Sequence, residues 1–152
     1  GTENSLIGIG RSTFVASTYG YPYPAEPEGV APAEPKKADF IGGMARIDIR
    51  ADESGCDIVW ENSVRSAAVP KLSTSDELIY TVERVDASGD NRTGLLDSFH
   101  FTVIDPHNGK VLKQHRIGAG FFRDILEMVG NTGFDKVLWL GDISGVTRIE
   151  PR

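Results

Sequence analysis

The feature that most constrains this chain is one short strand pattern that returns along its 152 residues. Phe14-Val15-Ala16-Ser17, Arg46-Ile47-Asp48 and Ile58-Val59-Trp60 anchor a first unit. Leu78-Ile79-Tyr80-Thr81, Val103-Ile104-Asp105 and Lys110-Val111-Leu112 anchor a second, and Val137-Leu138-Trp139-Leu140 with Arg148-Ile149-Glu150 anchor a third. A unit buries its apolar faces only by stacking on its neighbours, so a chain of this kind folds as a repeat or not at all.

The strands are brief and punctuated by turn residues, the signature of an all-β chain. Ala45-Arg46-Ile47-Asp48-Ile49-Arg50 alternates polar and apolar with period two, as a half-buried strand does. Asp52-Glu53-Ser54-Gly55 reads as the turn to Cys56–Trp60. Ala67 to Leu72 reads as the innermost strand of the second unit. In Pro106-His107-Asn108-Gly109, Asn-Gly is a hairpin signal because both residues tolerate positive φ. Lys110–His115 is the expected return strand, and Gly141–Gly145 a minimal hairpin loop. Phe121 to Val129 is open between a strand and a short helix, because its apolar residues also fit an i, i+3, i+4 stripe.

Spacing tests the repeat. Phe14 to Leu78 is 64 residues and Leu78 to Val137 is 59, longer than the about 40–50 residues of a four-stranded propeller blade. The excess lies in the second hairpin of each unit: the proline-rich insertion 21–37 and the polar insertion Asp86–Gly94. The expected fold is therefore about three four-stranded β-propeller blades, with units at 1–62, 63–118 and 119–152. The third unit lacks its fourth strand. An open blade exposes unpaired backbone groups, so the chain is expected to be part of something larger: the remainder of a longer propeller, or a second copy supplying a strand. The opening Gly1-Thr2-Glu3, without Met, fits a processed or truncated piece.

The stretch Phe101-Thr102-Val103-Ile104-Asp105-Pro106-His107-Asn108-Gly109-Lys110-Val111-Leu112 resembles the corner of quinoprotein-like (PQQ-type) β-propeller repeats. Leu78–Val82 sits where such repeats carry their second strand, and Ile58-Val59-Trp60 resembles their tryptophan-ended outer strand. Lys113-Gln114-His115 stands where the second unit's tryptophan would fall. The resemblance implies a fold and an extracytoplasmic or secreted setting. The docking motifs of the catalytic quinoprotein enzymes are not recognisable, so it does not imply quinone binding.

Composition narrows the functional classes. The net charge is −6 and no basic stripe is present, which argues against nucleic acid as a partner. No apolar run reaches the about 18–20 residues of a membrane span, so membrane insertion is not expected. Cys56 is the one cysteine, which excludes an internal disulfide and reads as a small buried or half-buried side chain.

The candidate ligand or channel rim comes from aligning the innermost strands, which sets Glu3-Asn4, Arg65-Ser66 and Arg123-Asp124 in equivalent places. Glu3 and Asn4 oxygens would suit a calcium-type cation, and the arginines would suit an anionic group. Rim salt bridging and turn capping explain the same residues without a ligand. His100, His107 and His115 have no zinc-ligand spacing. Asn91-Arg92-Thr93 is a formal glycosylation sequon, meaningful only in a eukaryotic secretory setting. Two functions follow as expectations. One is a non-catalytic module that binds a protein or small ligand, with the proline loop and Tyr19, Tyr21 and Tyr23 exposed. The other is a fragment of a propeller oxidoreductase or hydrolase, with a ligand or metal at the rim. The absence of a nucleophile, base and orienter together favours the first, with no resident cofactor.

Overall fold

The computed structural model describes residues 6–17, 42–85, 96–125, 130–133 and 136–150. The insertions 21–37 and 86–94, the tyrosines of the first, and Glu3-Asn4 lie outside the described residues. The described chain is all-β and forms three antiparallel sheets of four, four and three strands. The first holds β1 (Ile7–Ile9), β2 (Ser12–Ser17), β3 (Gly43–Ile49) and β4 (Cys56–Asn62), in chain order. The second holds β5 (Lys71–Ser73), β6 (Leu78–Val85), β7 (Ser98–Ile104) and β8 (Val111–Ala119), again in chain order. The third holds β9 (Asn131–Thr132), β10 (Leu138–Asp142) and β11 (Gly145–Ile149). No helix among the described residues is long and apolar enough to cross a membrane.

Three of the tight turns between consecutive strands are chemically specified by an aspartate. Asp52, Asp105 and Asp142 each accept the backbone N–H two residues on, from Ser54, His107 and Ser144 at 3.1, 2.8 and 2.9 Å. A short acidic side chain that closes such a loop is one reason aspartate starts turns. The strand alternation then sorts side chains to opposite faces. Phe14, Ala16, Met44 and Trp60 leave the first sheet toward the second, where they meet Ile79 and Ile104. Val82 and Phe99 leave the second sheet on its other side and meet Leu138 and Leu140 of the third, with Ala67, Ala68 and Ile125 filling between. The second sheet is thus covered on both faces, and the described residues form two cores rather than one.

A tryptophan ties the first two sheets. The Trp60 indole Nε1 on β4 donates to the Pro106 carbonyl at 2.9 Å, in the turn between β7 and β8. Two residues on, Asn62 Nδ2 donates to the Gly109 carbonyl at 2.9 Å. Gly109 has φ 71°, and a Cβ there would stand 2.6 Å from the Trp60 ring. Only glycine meets both demands.

The structure corrects several sequence-based expectations. Ala67–Leu72 is not one strand: Pro70 lacks the N–H a ladder needs, so Ser66 makes an isolated bridge and β5 starts at Lys71. The third unit's inner strand is not at 121–129 as far as that stretch is described. A single 3₁₀ turn occupies Phe121–Arg123, and the inner strand is the two-residue β9. At Asn108-Gly109 only the glycine takes positive φ, because the hairpin closes over four residues, with Asp105 N donating to the Lys110 carbonyl. Cys56 is exposed, since it opens the edge strand β4. His115 stands within β8, which continues to Ala119.

Candidate functional site

Of the six rim residues inferred from sequence, four are described: Arg65 and Ser66 run beside the second half of β6, whereas Arg123 and Asp124 meet the β10–β11 hairpin, where Ile143 N donates to the Asp124 carbonyl. Arg65 and Ser66 precede β5 and extend the sheet: Arg84 N donates to the Arg65 carbonyl at 2.8 Å, and Ala67 N to the Val82 carbonyl at 2.7 Å. Both side chains are buried. Asp124 is also buried, whereas Arg123 is exposed and donates to Asp142 at 3.0 Å. Ala67 and Ile125, neighbours in sequence of these pairs, share the core between the second and third sheets.

Sequence reasoning missed what sits on each side of this strand. Facing the third sheet, Arg84 Nε and Nη2 both donate to Asp97 Oδ2, at 3.0 and 2.8 Å. Both side chains are 0% exposed. A charge removed from water this completely persists only when paired and hydrogen-bonded. The available signal was alternation: Arg84 follows Val82 on the buried face of a strand, where a solvent-facing residue would break period.

Facing the first sheet is a polar seam. Ser66 Oγ donates to the Ala68 carbonyl at 2.7 Å and lies 2.5 Å from Thr81 Oγ1. Thr81 stands opposite Thr102, and Glu83 opposite His100, in the β6–β7 register. Thr102 Oγ1 donates to Glu83 Oε2 at 3.3 Å, and Gln114 Nε2 from β8 donates to the same oxygen. Burial pushes the Glu83 carboxyl above its ordinary value, against the pull of Gln114, Thr102 and His100. His100 Nε2 lies 3.0 Å from Ser98 Oγ, while its Nδ1 is buried with no hydrogen-bond partner among the described residues.

A cleft of about 190 Å³ opens between the first two sheets, lined by residues that include Phe14, Arg46, Glu77 and His107. Arg46 is already committed there, to Asp48, Ser12 Oγ and the Pro106 carbonyl. The hydrogen bond from Arg46 holds the Asp48 carboxyl below its usual range. Among the described residues no group of three His, Cys, Asp or Glu side chains could hold a metal ion. Chemically, the seam can take up a proton and hold a polar group beside Glu83; it offers no activated nucleophile. No known family model matches the chain, and no curated protein is similar enough to match.

Proposed function

We propose that the chain is a non-catalytic binding or scaffold module built of β-propeller repeats of the quinoprotein-like type. The observation that carries this reading is the Trp60 junction, in which the outer strand of one sheet seats on the third-to-fourth strand turn of the next. Side chains near the rim support it further, being used for cohesion: Arg84 with Asp97, Ser66 with Thr81, Arg123 with Asp142. In this reading the edge of β11, unpaired among the described residues, receives a strand from the remainder of a longer propeller or from a second copy. Glu3 and Asn4 remain the proposed place for a calcium-type ion.

One observation favours the enzyme reading, an oxidoreductase or hydrolase fragment. Glu83, raised by burial and set opposite His100, is the kind of pair that serves acid–base chemistry. The test is a turnover screen on ester, glycoside and alcohol substrates, with and without an artificial electron acceptor, run beside E83Q and H100A. The module reading expects no turnover that depends on either residue. Turnover abolished in both folded variants would replace it with the enzyme reading.

A further inference from the structure

The first and third sheets carry the same constellation on the same strands. In the first, Phe14 of β2 stands opposite Arg46 of β3, whose guanidinium lies 5.9 Å from the ring centroid. Asp48, two residues on, accepts from Arg46 Nε and Nη2 at 2.8 and 2.7 Å. The remaining nitrogen crosses to the neighbouring sheet, where Nη1 donates to the Pro106 carbonyl at 3.2 Å. In the third sheet Trp139 of β10 stands opposite Arg148 of β11, with the guanidinium 5.4 Å from its ring centroid. Glu150, again two residues on, pairs with Arg148. Aromatic, arginine and acid therefore recur at matching positions and on matching faces.

The two copies differ in what covers them. Phe14 is 2% exposed under the second sheet, whereas Trp139 is 43% exposed and Val146, on the same face of the third sheet, is 68% exposed. Resting on the repeat reading above, we infer that this outer face of the third sheet docks head to tail onto the outer face of the first sheet of a second copy of the chain. Arg148 then does between copies what Arg46 does within one.

The complementary face identifies the occupant. Arg46 meets the turn between the third and fourth strands of its neighbour. Among the described residues, the turn of that type not engaged by another sheet is the one between β3 and β4, at Asp52-Glu53-Ser54, which is exposed and acidic, with Arg11 of its own sheet 3.8 Å from Glu53. An acidic turn is what an outward arginine selects. Beside it, the face of the first sheet away from the second carries half-buried Val15, Ala45 and Ile47 and exposed Ile58, at 62%, with exposed Glu61 at its edge. That apolar strip matches Trp139 and Val146. Such contacts are heterologous: they generate a ring where the rotation closes and a filament where it does not.

Sedimentation velocity on the full chain, from low to high micromolar, tests this with V146D and I58D, both substitutions of exposed side chains. Wild type is expected to self-associate, and each variant to associate about tenfold more weakly or worse. An equimolar mixture of the two variants should regain a dimer, because one intact third-to-first junction remains between them. Wild type that stays monomeric throughout would overturn the inference, as would assembly broken by V146D and untouched by I58D. If either variant is unfolded by circular dichroism, R148E and E53K replace it, with the same expectations. A monomer whose first two sheets still depend on the Trp60 junction sinks the docking alone. Loss of that dependence sinks the repeat reading beneath it.

Discussion

An arginine closed off from solvent beside a carboxylate tolerates the loss of its partner badly. Attraction between Arg84 and Asp97 offsets the cost of dehydrating both, and removing one leaves the other charged in a place water does not reach. D97A is therefore expected to cost about 3–5 kcal/mol, read as a lowered urea midpoint at unchanged slope. Glu83 behaves in the opposite sense. Its folded-state value is raised by burial, so its contribution to stability is fully present below the unfolded-state value and fades as pH rises through the folded one. E83Q keeps an acceptor for Gln114 and Thr102 while removing the charge. It should leave the melting temperature unchanged at pH 4 and raise it at pH 7, with scanning calorimetry at both values as the check. Alternation after Val82 marks Arg84 as a buried-face residue, but the partners of Arg84 and Glu83 were not legible in the sequence. Asp97 stands 13 residues from Arg84 across an insertion, so nothing local joins the two.

Elements in this chain are held less by their own length than by what they rest on. β4 is an edge strand of seven residues with an exposed first half, and Trp60 fastens it to a turn 46 residues downstream. G109A tests that dependence, because the new methyl would meet the indole at 2.6 Å and the backbone would keep φ at 71°. Overpacking of this kind costs about 1–3 kcal/mol, and Trp60 emission should shift to the red as the ring leaves its seat. Asn-Gly betrayed the turn in the sequence, and Trp60 betrayed an outer strand. Their meeting did not show, since nothing local encodes a contact between units. β9 was beyond reach for another reason. Two residues carry no period, and Asn131-Thr132 pairs with β10 only because Leu138 and Leu140 have already fixed that strand in the core.

At the scale of the molecule the second sheet is the keystone. It contributes to both apolar cores, and Ile79, Val82, Phe99 and Ile104 are fully buried. Amide exchange should therefore be slowest in β6 and β7. β1 and β9, short and on sheet edges, should open first with free energies well below the global value. Mass-spectrometric exchange over seconds to hours would show this order, and uniform protection across all three sheets would contradict it. The all-β class and the grouping of strands into fours were legible because turns and alternation are local. Which faces meet was not, since stacking is decided between units.

The two tryptophans of the chain occupy the two kinds of surface a stacked sheet can offer, one sealed and one open, and this makes them separable light sources. Trp60 is buried with its indole N–H bonded to a carbonyl, while Trp139 lies open beneath a guanidinium. A small neutral quencher such as acrylamide should take the red part of the emission first, because Trp139 is 43% exposed and Trp60 8%. The unquenched remainder would then report the seam between the first two sheets alone, so loosening there could be followed without attaching a dye.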